Sequence, residues 1–241
     1  MKQLISTIAL AALMATPTLA DTIRMGTEGA YPPFNFIDDN GELSGFEIEL
    51  GNQLCEIAEL ECTWVTNDWD SIIPNLVSGN YDTIMAGMGM TDERDEVIDF
   101  SEQYFPPDPS AYVAVAGADT SVRSGVVAAQ INTIQSGYVA NSDATLVEFA
   151  TPDETVAAVR NGEVDAVLAD RSFLNSIVEE SNGALVFVGD DIEIGRGVGI
   201  GMRESDQALR ESLNAAIRQM KDDGSLSALI AKWFDGRVVE Y

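Results

Sequence analysis

Ala86-Gly87-Met88-Gly89-Met90-Thr91-Asp92-Glu93-Arg94 is the stretch on which the fold turns. It grows out of Thr83-Ile84-Met85-Ala86, a short apolar run that reads as a buried strand. Beyond the glycines, Thr91 can cap a helix that opens at Asp92. Gly87 and Gly89 carry no Cβ, so a ligand can approach the backbone closely there. Arg94 falls in the first helical turn, where a positive charge is slightly unfavourable beside the helix dipole. An anion between the free N–H groups and the guanidinium would remove that conflict. The stretch is therefore a candidate carboxylate clamp. The plainer alternative is a strand–turn–helix whose Arg94 pairs with Glu93, Glu96 or another surface acid.

The helix–strand pair leading into this stretch has a near-copy downstream. In the first, Asp70 can cap a helix with Ile72, Ile73, Leu76 and Val77 on one side. Gly79 ends that helix, and Asp82-Thr83-Ile84-Met85-Ala86 is the next strand. In the second, Thr151-Pro152-Asp153-Glu154 is a capping box with proline at the first helical position. Its helix carries Val156, Ala157 and Val159, Gly162 ends it, and Asp165-Ala166-Val167-Leu168-Ala169-Asp170 follows. One copy delivers Gly87 and the other Asp170, as two facing lobes of like construction would. A capping glycine before a buried strand is also common by chance.

Two segments can join the lobes. Tyr104-Phe105-Pro106-Pro107-Asp108-Pro109 cannot continue a helix or a central strand and reads as an extended crossover into Ala111–Ala116. Gly195-Arg196-Gly197-Val198-Gly199-Ile200-Gly201 lacks the lysine of a phosphate loop and does not match the dinucleotide fingerprint. It reads as the return crossover. Two amphipathic helices close the chain, one with Leu209, Leu213, Ile217 and Met220 and one with Leu226, Leu229, Ile230 and Trp233.

At the other end, Thr22–Thr27 reads as the first strand, followed by the loop Glu28-Gly29-Ala30-Tyr31-Pro32-Pro33-Phe34. Polar and aromatic residues past a strand's carboxyl end lie where open α/β sheets bind ligands. Residues 1–20 combine Lys2, an apolar run from Leu4 to Met14 and the small-residue site Thr18-Leu19-Ala20. They read as a secretory signal peptide cleaved after Ala20, which implies export and a mature chain that is not membrane-embedded. Cys55 and Cys62 are the two cysteines of an exported chain, so a disulfide is the default, with a two-cysteine metal site as the weak alternative.

Composition excludes several functions. Thirteen basic against 40 acidic residues give a formal charge of −27 over 241 residues. Such a surface repels nucleic acid and anionic lipid. Histidine is absent, which removes His-based metal sites and Ser–His pairs.

Several segments together resemble the family 3 extracellular solute-binding proteins, the amino-acid receptors of ABC importers. They are Gly26–Phe34, Gly45-Phe46-Glu47-Ile48-Glu49-Leu50, Trp69–Leu76, Thr91-Asp92-Glu93-Arg94, Asp99-Phe100-Ser101 and Lys232-Trp233-Phe234. The Cys55/Cys62 pair, Glu28–Tyr31 and Asn67–Asp70 look like the members that bind lysine, arginine, ornithine and opines. The resemblance implies an α/β, two-lobe periplasmic-binding-protein fold with two crossover strands. Lobe 1 is expected over 21–109 and 195–241, and lobe 2 over 110–194. It also implies a monomeric receptor for a small-molecule amino acid, served by ABC-transporter permease subunits, with no cofactor, metal or enzymatic activity.

By that resemblance Arg94 grips the α-carboxylate, aided by backbone N–H groups near Gly87, Gly89 and Thr133. Asp170 holds the α-ammonium, Tyr31 and Trp69 flank the side chain, and Glu28 meets its far end. Ala86 and Gly89 stand where many relatives carry hydroxyls, leaving room for a bulkier or N-substituted ligand. Two alternatives remain open: a cyclohexadienyl (prephenate or arogenate) dehydratase on the same fold, and a glutamine receptor.

Overall fold

A computed structural model describes residues 22–241. The expected signal peptide and its cleavage site lie outside the described residues.

β1 (Ile23–Thr27) leads into a small antiparallel sheet of β2 (Ala30–Tyr31), β3 (Asn35–Ile37) and β4 (Leu43–Ser44). α1 (Phe46–Ile57), β5 (Cys62–Thr66), α2 (Ile72–Val77), β6 (Thr83–Ile84), α3 (Asp92–Asp95) and β7 (Asp99–Phe100) follow. The second lobe holds β8 (Ser110–Val115), β9 (Val126–Gln130), α4 (Ile134–Ala140), β10 (Thr145–Phe149), α5 (Pro152–Arg160), β11 (Ala166–Asp170), α6 (Arg171–Glu180) and β12 (Leu185–Phe187). β13 (Gly201–Met202), α7 (Gln207–Asp222) and α8 (Ser225–Trp233) return to the first lobe.

The two main sheets have the same plan. One runs β5-β1-β6-β13-β7 and the other β10-β9-β11-β8-β12. In each, three parallel strands are followed by one antiparallel strand entering from a crossover, β13 or β8, and by an edge strand antiparallel to it, β7 or β12. The near-repeat extends to side chains. Gly79 and Gly162 adopt φ of 80° and 71°, a left-handed turn that glycine takes without Cβ strain. Asp82 Oδ2 then accepts the N–H of Arg24 at 2.9 Å, and Asp165 Oδ2 accepts the N–H of Val126 at 2.7 Å. Each aspartate thus ties its strand to the central strand beside it.

The crossovers lie side by side. Val198 bridges to Phe105 and Gly89, and Ile192 to Ser110. The first lobe's core packs α1, α7 and α8 around Phe34, Phe46, Tyr104, Phe105 and Phe234. The second packs α5 and α6 around Val113, Val167 and Phe173. Cys55 and Cys62 form a disulfide with Cα atoms 6.3 Å apart, joining α1 to β5. No helix of the described residues is long and apolar enough to cross a membrane.

Local expectations needed correction. Asp70 does not cap α2; it sits inside a 3₁₀ turn, Trp69–Ser71, that precedes the helix. Val77 is 51% exposed because Ile72 and Leu76 already fill the inward face of that short helix. In α5 Ala158, not Ala157, faces the core. The strand expected over 82–86 narrows to β6, because the chain turns away at Gly87, φ 62°.

Candidate functional site

Both halves of the repeat end at the same cleft. α3 begins as expected: Thr91 Oγ1 accepts the N–H of Arg94 at 3.2 Å. This cap aims Arg94 back across the glycines. Its Nη1 donates to the carbonyl of Gly89 at 2.6 Å and its Nη2 to the carbonyl of Asn132, in the other lobe, at 3.1 Å. The guanidinium lies 5.4 Å over the Trp69 ring. No carboxylate among the described residues forms an ion pair with it, so the surface pairing with Glu93 or Glu96 is not formed. Burial lowers its pKa to about 10, opposed by the charges of Asp170 and Glu93. A desolvated guanidinium held only by neutral carbonyls is a strong site for an anion.

Two buried acids share the cleft. Glu28 follows β1, and its Oε1 accepts from Gln130 Nε2 across the lobes at 2.6 Å. Burial lifts its carboxyl to about 7; the Gln130 bond opposes this, and the charges of Asp68 and Asp153 add to it. Asp170 ends β11. Its Oδ2 accepts from the Tyr31 hydroxyl at 2.8 Å and its Oδ1 from Gln135 Nε2 at 2.8 Å. Burial, with the charge of Asp108 adding, lifts Asp170 to about 7 against the pull of Tyr31, Gln135 and Arg94.

Tyr31 and Trp69, the expected aromatic walls, each have one face engaged. The Tyr31 ring stacks on Phe173 with centroids 4.4 Å apart and planes at 13°. Trp69 lies under Arg94, and its buried indole N–H has no partner among the described residues. Thr133 caps α4, accepting the N–H of Ser136 at 3.1 Å. Gly87 departs from expectation. Its N–H is committed to Glu47 Oε1 at 2.7 Å and is not free for a ligand carboxylate.

Glu28, Tyr31, Trp69, Ala86, Gly87, Gly89, Arg94, Thr133 and Asp170 all line one cavity of roughly 40 Å³, enough for a few waters. It meets a groove of about 1400 Å³ at Trp69, Arg94, Thr133, Ile134 and Ile194. Sequence reasoning missed the carboxamides of Gln130 and Gln135, which satisfy the two acids. It also missed Phe173 and Glu47. Gln130 lies three residues before Thr133, which the resemblance sets near the ligand carboxylate, and that was a usable signal. Gln135, one turn further, carried none.

One cation from the first lobe thus shares a cavity with acids from both lobes. Comparison with known proteins identifies the family. The description "Bacterial extracellular solute-binding proteins, family 3" matches residues 23–236. An L-arginine-binding protein of Pseudomonas aeruginosa is 31% identical, over 96% of this chain and 95% of its own. An octopine-binding periplasmic protein of Rhizobium meliloti is 31% identical, over 88% of this chain and 90% of its own. A crystal structure of a periplasmic His/Glu/Gln/Arg/opine family-binding protein from Silicibacter pomeroyi, in complex with lysine, is 65% identical with a TM-score of 0.88. It covers 91% of this chain and 100% of that one. The chain belongs to the family 3 bacterial extracellular solute-binding proteins.

Proposed function

We propose that the protein is a periplasmic receptor for a basic amino acid, with lysine, arginine and ornithine first and arginine-derived opines as larger variants. It hands its ligand to the permease subunits of an ABC importer. The observation that carries this reading is the charge balance of the cleft: one guanidinium without a carboxylate partner and two buried acids. A basic amino acid brings one anion and two cations. Every charge then has a partner on leaving water, which a buried site requires.

In this reading Arg94 binds the α-carboxylate, with backbone donors near Gly89 and Thr133. Asp170 takes the α-ammonium. Glu28 meets the terminal cation, while Tyr31 and Trp69 border the aliphatic stem. With lobes read as 21–109 with 195–241, and 110–194, these groups come from opposite sides of the crossovers. The lysine complex at 65% identity and the arginine- and octopine-binding relatives support the ligand class.

A thermal-shift screen against basic and neutral amino acids and opines tests the reading, because a ligand that binds only the native state raises the melting temperature. Lysine or arginine should give the largest shift. A response confined to neutral amino acids would overturn it. Loss of the cyclohexadiene on incubation with prephenate or arogenate would point instead to a dehydratase.

A further inference from the structure

Beyond α8 the chain turns back across the first crossover. The Arg237 N–H donates to the Phe234 carbonyl at 2.8 Å, and the Tyr241 hydroxyl donates to the Tyr104 carbonyl at 2.9 Å. The Arg237 guanidinium lies 4.8 Å over the Phe105 ring, and its Nη1 donates to Asp108 Oδ1 at 2.8 Å. Asp108 is 8% exposed, and Arg237 is its one ion-pair partner among the described residues.

Asp108 is also tied to the second lobe. Its Oδ1 accepts the Ser172 hydroxyl at 2.9 Å and its Oδ2 the Ser172 N–H at 3.0 Å, in the first turn of α6. A carboxylate is favourable at a helix N-terminus. The Arg171 N–H donates to the Pro109 carbonyl at 2.8 Å. These bonds fasten the crossover to the helix that begins directly after Asp170.

Asp108 lines the same cavity as Glu28, Arg94 and Asp170. It is therefore a third acid there, beyond the two that a basic amino acid answers. Burial and then the Asp108 charge push the Asp170 carboxyl up. Tyr31 from β2, Gln135 from α4 and Arg94 from α3 face Asp170 and favour its charged form. Arg171, beside Asp170 in the chain, is engaged with Asp191 at 2.6 Å.

We propose that Arg237 is a positioning residue for ligand recognition: from the segment after α8 it pins Asp108 against α6 and offsets its charge, so that the cleft keeps two acids for the ligand's two cations. This rests on the receptor reading above. Removing the guanidinium leaves a buried carboxylate without its counter-charge. Asp170 then keeps its proton to higher pH, and a cationic ligand must expel it.

The test uses Arg237→Gln, Asp108→Asn and the double variant in the full mature chain. The Asp170 carboxyl is titrated by carboxyl-carbon NMR without ligand. Dissociation constants for L-lysine are measured from about pH 6 to about pH 8.5, the range over which that carboxyl ionises. Arg237→Gln should raise the Asp170 midpoint and weaken lysine by up to about tenfold near pH 7, a loss that fades towards pH 8.5. Asp108→Asn leaves the guanidinium unmatched and should lower the midpoint; it also serves if Arg237→Gln does not fold. The double variant, neutral at both positions, should bring the Asp170 midpoint back towards the parent value. A lysine loss of equal size at every pH, or an Asp170 midpoint that neither single variant moves, would overturn the proposal and leave the segment a structural clamp. A parent that binds no basic amino acid would overturn the receptor reading. The carboxyl titration would still decide whether Arg237 acts on Asp170 through Asp108.

Discussion

The hydroxyl of Tyr31, from the first lobe, donates to Oδ2 of Asp170, from the second, at 2.8 Å, and the Asp170 N–H returns a bond to the same hydroxyl at 3.3 Å. Tyr31 is therefore more than an aromatic wall. It is a fixed donor that competes with burial for control of the Asp170 charge.

Tyr31→Phe should keep the stack on Phe173 and remove that donor. Hydrogen bonding to a carboxylate favours its charged form, so losing the bond raises the Asp170 pKa further. The pH midpoint at which lysine affinity rises should move upward in the variant. Titrations across pH read this directly, and a midpoint unchanged or lowered would contradict the assignment.

In the parent protein both Glu28 and Asp170 sit at about 7 because they are buried. A cationic ligand holds them ionised, so binding expels protons wherever the free site carries them. Affinity for lysine should rise as pH increases from about 5.5 towards 8, by at most about tenfold per pH unit for each carboxyl. Stability without ligand should change in the opposite sense. The folded state holds protons that the unfolded chain releases near pH 4, so stability falls between about 4 and 7. Calorimetry in two buffers of different ionisation enthalpy counts the protons, and binding without proton release would refute the linkage.

Arg94→Ala should cost about 2–5 kcal/mol of binding, as does removal of one partner from a desolvated charge pair. The variant also loses the bonds to the Gly89 and Asn132 carbonyls. Arg94→Lys restores charge without the planar fork and should recover only part of the affinity. Near-parental affinity for a free amino acid in Arg94→Ala would remove Arg94 from the carboxylate site.

Cys55 and Cys62 should be unreactive to thiol reagents in denatured, unreduced protein exported by its own pathway, and reactive after reduction. Two labelled thiols before reduction would contradict the bridge.

The parts of this site that were legible share a local cause. Thr91, the glycines and Arg94 lie within one strand–turn–helix, where capping and backbone rules act over a few residues. The Thr151–Glu154 capping box and the glycines at 79 and 162 were readable for the same reason. Glu47 was not. In a helix beginning Phe46-Glu47-Ile48-Glu49 an acid reads as solvent-facing, and only the packing of Tyr104, Asn35 and Gly87 around it shows otherwise. Gln130 and Gln135 meet their acids across the lobes or between elements, at separations of 102 and 35 residues. No local period encodes such pairs. Asp70 misled because a 3₁₀ turn intervened before the helix it could have capped.

The central claim, that Glu28 selects a cationic side chain, is tested most directly by calorimetric titration of the parent and Glu28→Gln with L-arginine and its neutral analogue citrulline at pH 8. There the Glu28 carboxyl is ionised in the parent. The parent should bind arginine at least about tenfold more tightly than citrulline, the scale of one charge-assisted hydrogen bond. Glu28→Gln should lose that preference by weakening arginine alone. Equal affinity for the two ligands in the parent, or a preference that survives Glu28→Gln unchanged, would contradict it.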